Sequence, residues 1–90
     1  MHYAYVLQSQ KDNFLYIGYT NNIESRIILH DKGLVSATRF RRPLKLIFYE
    51  AYVTKSDAIR REHYFKTAKG KTALKIMLKE YFSECSTTRV

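Results

Sequence analysis

Tryptophan is absent from the 90 residues, cysteine and proline occur once each, and only 8 acidic side chains stand against 16 Lys and Arg. The lone Cys85 cannot form an internal disulfide and has no second cysteine with which to build a metal knuckle. It reads as an incidental thiol in a reducing cytoplasm. No apolar run approaches the roughly 18 residues that cross a bilayer, so no membrane partner is expected. Met1-His2-Tyr3-Ala4 lacks the charged and apolar regions of a secretory leader. Internal repeats, linkers and low-complexity tracts are missing too. What is left is one cytoplasmic domain, large enough for a single core but not for two, with an apolar share of 46% that fits a folded globular chain.

The scarcity of acid leaves a formal charge of +8 and a sequence pI near 9.7. In a small domain such an excess most often marks a polyanionic partner, usually nucleic acid. Its distribution sharpens the expectation. Arg39, Arg41 and Arg42 crowd one stretch, and Lys66, Lys69, Lys71, Lys75 and Lys79 recur along the C-terminal third. Eight tyrosines sit among these charges and offer stacking surfaces that also donate hydrogen bonds, although most of the rings must serve the core.

Residues 2–8 are rich in β-formers, with Tyr3, Tyr5 and Leu7 on one face and Ala4 and Val6 on the other. The short polar stretch Ser9 to Asn13 closes a hairpin onto a strand over 14–19, which brings Tyr5 near Tyr16 or one of its diagonal neighbours. Leu15-Tyr16-Ile17-Gly18-Tyr19-Thr20 alternates with period 2. Gly18 gives no packing inside that strand, so it marks a close approach by a ligand or another backbone.

A helix follows, opened by Asn21 and Glu24 at capping-box spacing and closed by Lys32-Gly33. Ile23, Ile27, His30 and Leu34 form its inward stripe, and Arg26 lies four residues before His30 on the same surface. Leu44 to Val53 is apolar on both faces after Lys45, which predicts a central strand covered on both sides. A second helix over about 57–68 carries Ala58, Glu62 and Phe65 on one line. Gly70 interrupts, and a last helix over about 71–82 packs through Leu74, Met77, Leu78 and Tyr81. The expected domain is thus 1–82, with a polar, frayed tail over 83–90.

Each polar residue has a plain structural explanation. Tyr5 and Tyr16 taken singly are half-buried strand residues, Arg26 and Glu62 could form an interhelical ion pair, His30 could be a satisfied core histidine, and the three arginines could be a solvated loop. Their conjunction argues otherwise. A carboxylate, a guanidinium and an imidazole on inward faces, with two tyrosines beside a glycine, are expensive to gather in one small core without a site to use them.

In Tyr3-Ala4-Tyr5-Val6-Leu7, Tyr16-Ile17-Gly18, Arg26, His30 and Glu62, the chain resembles the GIY-YIG endonuclease family, in particular its short single-domain bacterial proteins. Tyr16-Ile17-Gly18 matches the second motif verbatim, while Tyr3 and Ala4 replace the Gly and Ile of the first. The resemblance runs from Tyr3 to about residue 80. It implies an α+β fold of β-β-α-β-α-α order, a small three-stranded antiparallel sheet flanked by helices. It also implies cleavage of a DNA phosphodiester with one divalent metal, Mg2+ or Mn2+. By that similarity Glu62 holds the metal, Tyr5 and Tyr16 position or deprotonate the attacking water, and Arg26 and His30 face the scissile phosphate. No Asn follows Glu62, where several larger members carry one.

The chemistry suits these residue types. Charge building on a phosphodiester calls for a metal and a guanidinium fork. One carboxylate is enough for a hard cation whose shell water and substrate oxygens complete. Tyrosine at its ordinary pKa near ~10 is a poor base, and His30, ordinarily near ~6.5, is the alternative acceptor. The expectation is therefore a DNA endonuclease directed by structure or backbone more than by long sequence, with Arg39, Arg41, Arg42, Lys66, Lys69 and Lys71 on the phosphates and room for a targeting protein partner. The alternatives are a non-catalytic nucleic-acid-binding module on the same fold and, third, a basic protein-interaction domain.

Overall fold

The β-rich N-terminus and the alternating stretch after it form an antiparallel hairpin, β1 (His2–Ser9) and β2 (Leu15–Thr20). Ser9 ties its turn, with Oγ accepting from the backbone of Lys11 and Asp12, and Asn13 takes the left-handed φ of 64° that asparagine tolerates. The structure, a computed structural model, describes residues 1–88, with side chains through Glu84. After the hairpin come α1 (Ile23–Asp31), β3 (Leu44–Tyr52), α2 (Lys55–Phe65), α3 (Ala68–Met77) and α4 (Lys79–Thr88).

The three strands make one antiparallel sheet in the order β2-β1-β3. β3 is therefore an edge strand, not the central one its apolar run suggested, and β1 takes the centre, buried from Ala4 through Ser9. The reason lies in the register. Val6 faces Phe48 and Leu7 faces Leu46, so Ile47 is an extra residue in a bulge. Ile47 and Phe48, neighbours in sequence, both pack against the cluster of Val6, Ile17, Phe65 and Leu74. A bulge that sends two adjacent side chains into one core looks, in sequence, like a strand with two buried faces.

That cluster lies between one face of the sheet and α2 with α3, and α1 brings His30 and Arg26 to Tyr5 and Tyr16 on the other strand face. The N-cap of α1 is Asn22, one residue later than the spacing of Asn21 and Glu24 suggested, and its side chain accepts from Ser25 N at 3.1 Å. At the other end Gly33 turns out of the helix at φ 75°, so Leu34 leaves the inward stripe and stands 67% exposed.

The C-terminal helices divide differently from the expectation. The break falls at Lys66-Thr67, and Thr67 caps α3 by accepting from Gly70 N at 3.0 Å. Gly70 sits inside α3, where a Cβ would stand 1.9 Å from the Tyr64 carbonyl oxygen. It lets α3 fold back against the end of α2 rather than breaking the helix. A second break at Leu78, with φ −110°, separates α4 and leaves Met77 exposed. Helix α4 continues through Thr88, so the segment expected to fray is helical that far, and residues 89 and 90 lie outside the described residues. Among the described residues no helix is long and apolar enough to cross a membrane.

Candidate active site

Strand register brings the two tyrosines together. Tyr5 stands opposite Gly18 and Leu7 opposite Tyr16, so Tyr5 and Tyr16 are diagonal neighbours on one face, with ring centroids 6.2 Å apart. Gly18 is bare because Tyr5 lies across it. A Cβ there would stand 2.5 Å from both Cζ and Oη of Tyr5. The close approach that Gly18 signals is thus made by a side chain of the neighbouring strand, not by a ligand or a backbone.

From α1, the His30 ring joins the pair at 5.9 Å from Tyr5 and 5.0 Å from Tyr16, edge-on to both. A hydrogen bond of 3.0 Å links Tyr5 Oη with His30 Nε2, and one of 2.7 Å links His30 Nδ1 with Thr38 Oγ1. Tyr5, His30 and Thr38 are all buried. His30 therefore has both ring nitrogens engaged by Tyr5 and Thr38 and is buried with them. Thr38 had escaped notice because it stands in an aperiodic connection, where no pattern separates a buried hydroxyl from a solvated one.

Burial is the main cause that raises the Tyr5 hydroxyl well above the ordinary tyrosine range. The Tyr16 phenol adds to it, the Arg26 guanidinium pulls the other way, and the Glu62 carboxylate raises it further. Burial also lowers His30, with the Arg26 charge second and Asp31 opposing. The protonated phenol of Tyr5 and the neutral imidazole of His30 are thus both the favoured forms in this buried pair. Arg26 and Glu62 both act electrostatically on the Tyr5 hydroxyl, while Tyr16 and His30 are in ring contact with Tyr5. Tyr16 and Arg26 are partly exposed.

Glu62 is held on the flank of this cluster with its side chain 13% exposed. Its partner is Lys66, with Nζ at 2.9 Å from Oε2, rather than Arg26, and His63 Nε2 stands 3.5 Å from Oε1. Among the described residues no group of three or more His, Cys, Asp or Glu could hold a metal ion. A zinc site of several nitrogen and sulfur ligands does not fit this donor set. A hard cation held by one carboxylate, with water and substrate oxygens for the rest, does fit.

The expected phosphate-binding residues are spread unevenly. Arg39 is exposed with its guanidinium 4.7 Å from the Phe40 ring. Arg41 pairs with Asp12 at 2.6 Å and lies 3.8 Å over Phe14, while Arg42 donates to the carbonyls of Arg39 and Asp31. The Lys66 ammonium is engaged by Glu62, Lys69 borders a groove beside Tyr64 and Ile76, and Lys71 is exposed. Glu50, which sequence reading passed over, takes both nitrogens of Arg61 at 2.8 and 3.0 Å and the Tyr52 hydroxyl at 2.6 Å. This fork clamps α2, and with it Glu62, onto β3.

The family model described as the GIY-YIG catalytic domain matches residues 1–75. A UPF0213 protein of Staphylococcus haemolyticus is 43% identical over 77 residues, covering 84% of this chain and 93% of that protein. A UPF0213 protein of Bacillus licheniformis is 50% identical over 66 residues, covering 72% and 67%. The solution NMR structure of a UPF0213 protein from Bacillus halodurans superposes with a TM-score of 0.54 at 33% identity, covering 84% of this chain and 83% of that one. With the motif residues gathered on one hairpin and two helices, and with relatives of the same short length, the chain belongs to the GIY-YIG nuclease family.

Proposed function

We propose that this chain is a metal-dependent DNA endonuclease in which Tyr16, Arg26 and Glu62 meet the scissile phosphodiester. Tyr5 and His30, braced by Thr38, position Tyr16 from behind. The observation that carries the reading is the closed relay from Tyr5 Oη through the His30 ring to Thr38 Oγ1, buried beneath a Tyr16 that keeps access to solvent. A neutral imidazole has one donor and one acceptor nitrogen. A protonated Tyr5 donating to Nε2 leaves the Nδ1 proton for Thr38, which fixes both rings against Tyr16.

Tyr16 is then the phenol that orients the attacking water. Arg26 offers its fork to two nonbridging oxygens of the phosphate. A divalent cation at Glu62 would supply Lewis-acid neutralisation of the charge that builds on the phosphate. The exposed Arg39 and Lys71 serve the flanking phosphates. Arg41 and Arg42 support them chiefly by holding the loop, and Lys66 and Lys69 complete the expected basic set beside the site.

The test is nicking of a supercoiled plasmid and of duplex, flap, branched and single-stranded DNA with Mg2+ or Mn2+. Glu62→Gln should lower the rate on the order of a hundredfold or more while DNA affinity is kept. Absence of cleavage by the wild type on every substrate sinks the enzyme. The Lys66 ammonium on Glu62 Oε2 favours a second reading, a nucleic-acid-binding module whose carboxylate is already neutralised. Under that reading Lys66→Ala leaves the chain without metal binding by calorimetry, whereas under the first it strengthens the binding.

A further inference from the structure

We propose that Phe40 is a base-stacking platform, so that the substrate of this site presents unpaired nucleotides rather than a continuous duplex. The inference deepens the nucleic-acid reading above and rests on it. Phe40 is 73% exposed, and Arg39 holds its guanidinium 4.7 Å from the ring centroid. An exposed ring is ordinary on a loose loop, but this loop is pinned along its length. Thr38, two residues earlier, is buried on His30 at 2.7 Å. Ser9 Oγ donates to the Arg41 carbonyl at 2.6 Å, and Lys11 Nζ donates to the carbonyl of Phe40 itself at 3.3 Å.

The ring is thus presented outward on a fixed backbone, which lowers the ordering cost of anything that binds it. At the hairpin turn, Phe14 is 42% exposed and lies 3.8 Å beneath the Arg41 guanidinium, itself held by Asp12. Two exposed rings, each paired with an arginine, stand on two segments that Ser9, Lys11 and Asp12 tie together, in a chain of formal charge +8.

This pairing of π faces with cations is the composition of a single-strand groove, where bases stack and phosphates find positive charge. Charge complementarity selects a polyanion, and the rings select one whose bases have a free face. In a duplex interior both faces of each base are already covered. The platform is linked to the site through the chain, because the segment that displays Phe40 also supplies the Thr38 hydroxyl that braces His30.

The experiment is fluorescence anisotropy of the full chain without added metal, so that binding is read apart from cleavage. The probes are a labelled thymidine oligonucleotide of about 12 nucleotides and a blunt duplex of the same length. The wild type should prefer the single strand. Phe40→Leu keeps apolar bulk but lacks the π face, and it should weaken single-strand binding about five- to a hundredfold while Phe40→Tyr restores it. The logarithmic salt plots of wild type and Phe40→Leu should run parallel, since no phosphate contact is lost, whereas Arg39→Ala should reduce the slope by about one.

Equal affinity of Phe40→Leu and wild type for the thymidine probe overturns the proposal, as does a preference of the wild type for duplex. A change confined to self-association would assign Phe40 to a protein contact and overturn it too. Cleavage of duplex at an unchanged rate by Phe40→Leu would defeat this inference alone. Single-strand stacking without any cleavage would keep it and defeat the enzyme.

Discussion

Replacing Gly18 by Ala would ordinarily stabilise a strand, since it removes conformational freedom from the unfolded chain, by about 0.4–1 kcal/mol. Here the sign should reverse. The new methyl carbon would lie 2.5 Å from Cζ and Oη and 2.8 Å from Cε1 of Tyr5, where ordinary contact begins at 3.4 Å. The ring must retreat by roughly 1 Å in a close-packed interior. Movement away from His30 breaks the 3.0 Å bond, and movement toward it collides with a ring whose far side is fixed on Thr38.

Overpacking costs about 1–3 kcal/mol and an unmade buried hydrogen bond about 1–3 more, so once the ordinary gain is set against them the net loss should be about 1–5 kcal/mol. In a domain of this size that lowers the melting temperature by roughly 5–40 °C. Chemical denaturation followed by far-UV circular dichroism measures it, and a double-mutant cycle isolates the cause. In a Tyr5→Leu background, which removes the offending atoms, the same Gly18→Ala change should cost nothing or stabilise. A Gly18→Ala protein as stable as wild type, or an equal loss in both backgrounds, would refute the account of why this strand carries glycine.

Gly70→Ala should be more damaging, because the obstacle at 1.9 Å is the Tyr64 backbone carbonyl, which cannot swing aside. A loss above about 3 kcal/mol in urea denaturation is expected. Thr38→Val keeps the shape and removes the hydroxyl, leaving His30 Nδ1 buried without a partner, at about 1–3 kcal/mol. The same variant should slow any nuclease activity while leaving DNA affinity unchanged in anisotropy. Because burial lowers His30 below its ordinary 6.5, the folded state prefers the neutral ring. That contribution is complete above 6.5 and is lost as pH falls through the lower folded value, so thermal melts should show stability declining below 6.5 and a shallower decline in His30→Gln.

Much of the site could be read from spacing because two periodicities carry it. The period of 2 put Tyr5 and Tyr16 on sheet faces that the hairpin brings together, and the period of 3.6 turned His30 and Arg26 inward. What spacing could not supply was the third dimension. Ile47 and Phe48 looked like two faces of a central strand because a bulge is invisible without its partner. Gly70 looked like a helix breaker because the Tyr64 carbonyl that demands it lies on another helix. Thr38 and Phe40 stand in a connection with no period at all, so the buried hydroxyl and the exposed ring could not be told apart from their neighbours. The ion pair of Arg26 with Glu62, the plain alternative to a site, does not form, for a local reason. Lys66, one helical turn along, reaches Glu62 first.

The central position of β1 has a kinetic consequence. Its Val6 side supports the apolar cluster and its Tyr5 side supports the relay, so amide protons on both flanks share one backbone. Separation of β1 from either neighbour disturbs the cluster and the relay together. Deuterium uptake along Ala4 to Leu7 should therefore follow whole-molecule opening, and heat or urea should extinguish any nuclease activity and the fold in the same transition.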